Sequence, residues 1–142
     1  GEIRVIAGTA TVGTHRVTGP VNTADRALTT DPLYLDLHLP SGARFEHGIA
    51  PGYTAFAYAY EGEVTVGDGA AARVLPHQAA GVLGDGDTAV FTAGANGARL
   101  ILLAGKPLRE PIVQYGPFVM NNREEIEQAI QDYQSGELVK AA

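Results

Sequence analysis

The sequence has no cysteine, no tryptophan, one methionine and two serines among its 142 residues. Without cysteine there are no disulfides, no thiolate metal centres, no iron–sulfur clusters and no thiol nucleophile; this composition fits a reducing compartment, and a cytoplasmic location is expected. Ser41 and Ser135 lie in a turn and at a helix end, and neither sits in a Gly-x-Ser-x-Gly elbow, which argues against a serine hydrolase. Positive charge is also scarce. Ten basic residues against sixteen acidic ones give a net charge of −6 and a pI near 5.1. Such a chain repels phosphate backbones, so no direct nucleic-acid partner is expected. No apolar run approaches the roughly 18 residues of a membrane span, and no charged-then-apolar leader pattern opens the sequence.

What is abundant is glycine, 18 residues, in a chain with only 18% charged residues. This composition favours many turns over long surface helices. Leu33-Tyr34-Leu35-Asp36-Leu37-His38-Leu39 alternates without a fault, so a strand there turns four leucines to a core and Tyr34, Asp36 and His38 to a wetter side. Tyr53–Tyr60 reads as a second strand with Phe56, Tyr58 and Tyr60 on one face and Ala55, Ala57 and Ala59 on the other. Further short strands are expected at 2–7, 63–66, 72–75, 87–92 and 98–104, a rhythm of about ten residues per turn that marks an all-β fold. Leu100-Ile101-Leu102-Leu103 is apolar on both faces and predicts a central strand. Gly84-Asp85-Gly86 reads as a hairpin turn rather than a phosphate loop.

Helical spacing occurs once. Ile126, Ala129, Ile130 and Tyr133 form an apolar stripe over a helix near 122–135, with Asn122 and Glu125 placed as a capping box and Gly136 as a C-terminal cap. Thr9–Pro32 and Gly105–Asn121 read as long loops. A single domain over 1–142 is expected, an all-β barrel or sandwich closed by one short C-terminal α-helix.

His15, His38, His47 and His77 are the whole imidazole supply, and no His-x-His or His-Glu-x-x-His pair exists. A metal site assembled from His38, Glu46, His47 and His77 is conceivable only through convergence in space, and solvated loop and edge positions are the simpler reading. Tyr34, Phe56, Tyr58 and Tyr60 are candidates to line a small-molecule cavity inside the barrel, with ordinary core packing as the alternative.

The run Gly105-Lys106-Pro107-Leu108-Arg109-Glu110-Pro111-Ile112-Val113-Gln114-Tyr115-Gly116-Pro117-Phe118-Val119-Met120-Asn121, followed by the capped helix, resembles the C-terminal half of pirin-family proteins. These are bicupins, two cupin-superfamily β-barrels (double-stranded β-helices, or jelly rolls) in tandem. Thr18-Gly19-Pro20-Val21, the strand and turn at 33–42, and Tyr60-Glu61-Gly62-Glu63-Val64 agree, so the likeness covers essentially the whole chain. The resemblance implies a cupin barrel whose metal-bearing N-terminal partner is absent here. It also implies that an iron-type divalent metal sits in that other barrel, held by a His-x-His and a His-x-Glu pair. Some members are implied to oxidise flavonols such as quercetin with dioxygen, others to act as nuclear cofactors of transcription regulators. Sliding the two metal motifs onto this chain places their ligands at Gly48 and Ala50, and near Arg99 and Ile101. None of these coordinates a divalent metal. No cofactor and no catalytic residue are therefore expected in this chain. Its expected partner is the N-terminal barrel, or a second copy when expressed alone, with Tyr53–Ala59 and Ile112–Met120 as the contact candidates. A metal-dependent dioxygenase in its own right and a tyrosine-lined sensor are the rival readings.

Overall fold

The computed structural model describes residues 1–139. The chain divides into two compact units, 1–107 and 108–142.

The first unit is built on two very long strands. Their neighbours are β1 (Glu2–Ala7), β4 (Leu33–Leu39), β5 (Arg44–Gly48), β7 (Arg73–Leu75) and β8 (Ala79–Val82). The long strands are β6 (Thr54–Val66) and β9 (Thr88–Gly105), paired antiparallel along most of their length. The first half of β6 and the second half of β9 lie in one layer, with β8 on one side and β4 then β1 on the other. Their remaining halves lie in a second layer, flanked by β7 and β5. The change of layer falls at register shifts around Tyr60 and Glu63, where bulges bend and twist a strand. Gly62 makes the bend possible: its φ is +70°, and a Cβ there would collide with the Gly97 carbonyl oxygen.

One hydrophobic core joins the layers. Leu35, Leu37, Ala57, Ala59, Leu100 and Leu102 come from the first, and Phe45, Val64, Leu75, Ala89 and Phe91 from the second. The leucine alternation of 33–39 meets that core as expected, and the doubly apolar run at 100–103 lies in the central strand β9. The expected strands at 53–60 and 63–66 are one strand, as are those at 87–92 and 98–104. Glycine in both cases bends the strand instead of ending it. The expected hairpin at Gly84–Gly86 is a crossover: β8 pairs β6, β9 does not pair β8, and neither glycine has positive φ. The 9–32 segment contains a hairpin of β2 (Thr9–Val12) and β3 (His15–Thr18), then a loop pinned by Asn22, whose side chain donates to Asp31 and accepts from the Leu28 amide.

In the second unit, β10 (Val113–Tyr115) and β11 (Phe118–Met120) form a hairpin inside the expected 105–121 loop. Gly116, with φ +57°, and the ring-locked Pro117 make its two-residue turn. The helix α1 (Arg123–Ser135) packs Ile126 and Ala129 inward and contacts both strands of the hairpin. Its capping box is complete, with Asn122 accepting from the Glu125 amide and Glu125 accepting from the Asn122 amide. Gly136 closes it in the left-handed region.

Candidate functional site

The pleat of β6 decides where the aromatic candidates lie. Ala55, Ala57 and Ala59 are buried, so Phe56, Tyr58 and Tyr60 project from the opposite, outward face. Cross-strand register extends this face. Val82, Phe56, Leu103 and Tyr34 form one row across β8, β6, β9 and β4; Ala80, Tyr58, Ile101 and Asp36 form the next. Phe56 is 40% exposed and Val82 79%. The expectation that Tyr34, Phe56, Tyr58 and Tyr60 line a cavity inside the barrel is corrected. The small alanines face inward because both layers crowd them with leucines, and the large rings are left outside.

A polar cluster borders these rows. The Tyr60 hydroxyl donates to Asp36 Oδ1 at 2.7 Å and lies 2.9 Å from His38 Nε2, which is 3.3 Å from Asp36 Oδ2. Glu2 and Arg4 of β1 stand beside them, with Glu2 Oε2 3.5 Å from His38 Nδ1 and Arg4 3.9 Å from Asp36. Asp36 and His38 side chains are each under one-fifth exposed. Desolvation and the bond to Asp36 push the Tyr60 phenol up to about 12, so it stays protonated and serves as a donor. The alternation of 33–39 marks Asp36 as outward, whereas Tyr60 was expected inside the barrel. Their pairing has no local signal, because it joins strands 24 residues apart.

The four metal candidates do not converge. His38 is committed to the outer polar cluster. Glu46 points outward on β5 to Arg44, which also pairs with Asp68. His77 is exposed in the β7–β8 turn. His47 stacks on the core residue Phe45, with ring centroids 6.2 Å apart, and burial lowers its pKa, favouring the neutral ring. Among the described residues no three His, Asp or Glu side chains are grouped to hold an ion. The positions where the bicupin ligands would fall fit no better. Gly48 and Ala50 offer no donor atom, Arg99 pairs outward with Glu61, and Ile101 lies on the outward face. The donor set of the described residues does not fit a catalytic divalent ion.

A family model for the pirin C-terminal cupin domain matches residues 34–139. A Pseudomonas aeruginosa protein provisionally named a quercetin 2,3-dioxygenase is 42% identical over 137 residues, 96% of this chain and 46% of the relative. Human pirin is 45% identical over 108 residues, 75% of this chain and 37% of its own length. A crystal structure of quercetin 2,3-dioxygenase from Acinetobacter baumannii superposes with a TM-score of 0.77 at 30% identity, covering 96% of this chain and 43% of that one. The chain thus spans less than half the length of these relatives. The outward-faced, two-layered barrel has the cupin fold, and the chain belongs to the pirin family, of which it carries the C-terminal cupin domain.

Proposed function

We propose that this barrel is the metal-free half of a two-barrel protein and that its role is structural. Its outward aromatic face packs against a preceding cupin barrel, helps close one side of that barrel's site, and leaves metal-dependent chemistry of the quercetin dioxygenase type to the partner. The iron-type ion belongs to the other barrel. One observation carries this reading: the apolar rows Phe56–Leu103–Tyr34 and Tyr58–Ile101 are presented on a broad sheet face, although the barrel has a filled leucine core of its own. Exposed apolar patches of this kind mark interaction surfaces. The matching relatives are more than twice as long as this chain, which supplies an occupant. The polar cluster of Tyr60, Asp36 and His38 borders the patch and would fix orientation, since satisfied polar groups at an interface specify register more than affinity.

The experiment is Phe56→Asp in the two-barrel protein, followed by calorimetry and limited proteolysis. The expected result is loss of a single cooperative transition in favour of two, with faster cleavage between the barrels and unchanged far-UV dichroism. A single transition at the wild-type temperature would refute the packing role. Expressed alone, this chain is expected to dimerise through the same face, and Phe56→Asp is expected to make it monomeric by sedimentation.

A further inference from the structure

The barrel is filled at one end and hollow at the other. Inward positions of the filled region carry Leu35, Leu37, Leu100 and Leu102, all fully buried. At the hollow end the inward positions carry Ala55, Gly81 and Ala89, and a cleft of about 500 Å³ opens there. Side chains this small leave a void that the surrounding strands cannot collapse into. Its volume is within the roughly 300–1,000 Å³ of small-molecule sites. The walls are mostly apolar, including Ile49, Val66, Leu75 and Leu83. Tyr53 contributes only its ring, because its hydroxyl donates to Asp31 outside the cleft lining.

One cation is built into the rim. Arg73 Nη1 donates to the carbonyls of Ala70 at 3.1 Å and Ala72 at 2.8 Å, which fixes the guanidinium over the short helical turn at Gly69–Ala71. Among the described residues no carboxylate lies within 4.0 Å of it, in contrast to Arg4, Arg44 and Arg99. Arg73 lines the cleft, and the donors it does not spend on these two carbonyls form a planar fork, which suits a carboxylate. Asp85 also lines the cleft, so a second anionic group on the ligand would meet repulsion.

We propose that the hollow end of the barrel binds a small apolar monocarboxylate, with the apolar body in the cleft and the carboxylate on Arg73. Val82, at the end of the first outer row, is the one residue of those rows that also lines the cleft. The test is an amide-resolved NMR titration of the 142-residue chain with trans-cinnamate and, in parallel, its uncharged analogue cinnamamide. Cinnamate is expected to give saturable shifts at the amides of Ala55, Gly81, Leu83 and Ala89, with cinnamamide about tenfold weaker, the worth of one charge-assisted pair. Arg73→Gln, a change at an exposed rim residue, should weaken cinnamate about tenfold and leave cinnamamide unchanged, while Asp85→Asn should tighten cinnamate. Absence of saturable shifts at those amides, equal affinity for the two probes, or an unaltered Arg73→Gln titration would each overturn the proposal.

Discussion

The Tyr60–Asp36–His38 cluster can be tested by deleting one oxygen atom. Tyr60→Phe keeps the ring and removes the 2.7 Å donation to Asp36 Oδ1 together with the 2.9 Å contact to His38 Nε2. A hydrogen bond to a charged acceptor is worth about 1.5–3 kcal/mol, and Asp36 is still 19% exposed, so water recovers part of the loss. The expected destabilisation is about 1–2 kcal/mol, which lowers the melting temperature by roughly 5–10 °C for a unit of this size. The assay is urea unfolding followed by circular dichroism, with Asp36→Asn and the double variant completing a cycle. A coupling energy of about 1 kcal/mol is expected between the two positions. Tyr58→Phe is the control, because Ile101 of β9 stands between Tyr58 and Asp36 in their shared row; a change within about 0.3 kcal/mol is expected. An unshifted midpoint for Tyr60→Phe, or zero coupling to Asp36, would refute the view that this cluster is a bonded unit.

Three further outcomes are expected. Leu100→Ala removes a fully buried side chain where the two layers meet and should cost about 2–5 kcal/mol by urea unfolding, a large part of the net stability of a domain this size. Burial holds His47 below its ordinary 6.5, so the unfolded chain takes up that proton at a higher pH than the folded one, and stability falls as pH drops below 6.5. His47→Phe should therefore flatten the decline in urea midpoint between about pH 7 and pH 5, and an unchanged slope would assign the decline to other groups. Asn122→Ala removes the side-chain acceptor of the capping box and should cost about 1 kcal/mol, read as faster amide exchange in the first turn of α1.

Periodicity made much of this fold legible. The alternation at 33–39 and the capped stripe at 122–136 depend on local chemistry, and both elements have the bounds their signals suggest. The strand breaks expected near 61–62 and 93–97 are bends, because Gly62 and Gly97 mark bulges in β6 and β9, and a glycine that bends a strand has the same local signal as one that ends it. The 44–48 and 79–82 strands are short and weakly patterned, and become strands by pairing with β9 and β6. The outward turn of Phe56, Tyr58 and Tyr60 follows from a choice that β6 alone cannot make. Alternation separates alanines from rings, but which set faces inward depends on the leucines of β4 and β9 already filling the space. Arg73 gave no signal at all, since its role rests on two carbonyls of the preceding turn and on a void created by small residues on three other strands.

The most direct test of the donor-poor barrel is its metal content. The 142-residue chain, incubated with ferrous iron, nickel or copper, desalted and measured by elemental analysis, should retain under about a tenth of an atom per chain, because among the described residues no three His, Asp or Glu side chains are arranged to hold an ion. Retention near one atom per chain, lost on His47→Ala or His38→Ala, would contradict it.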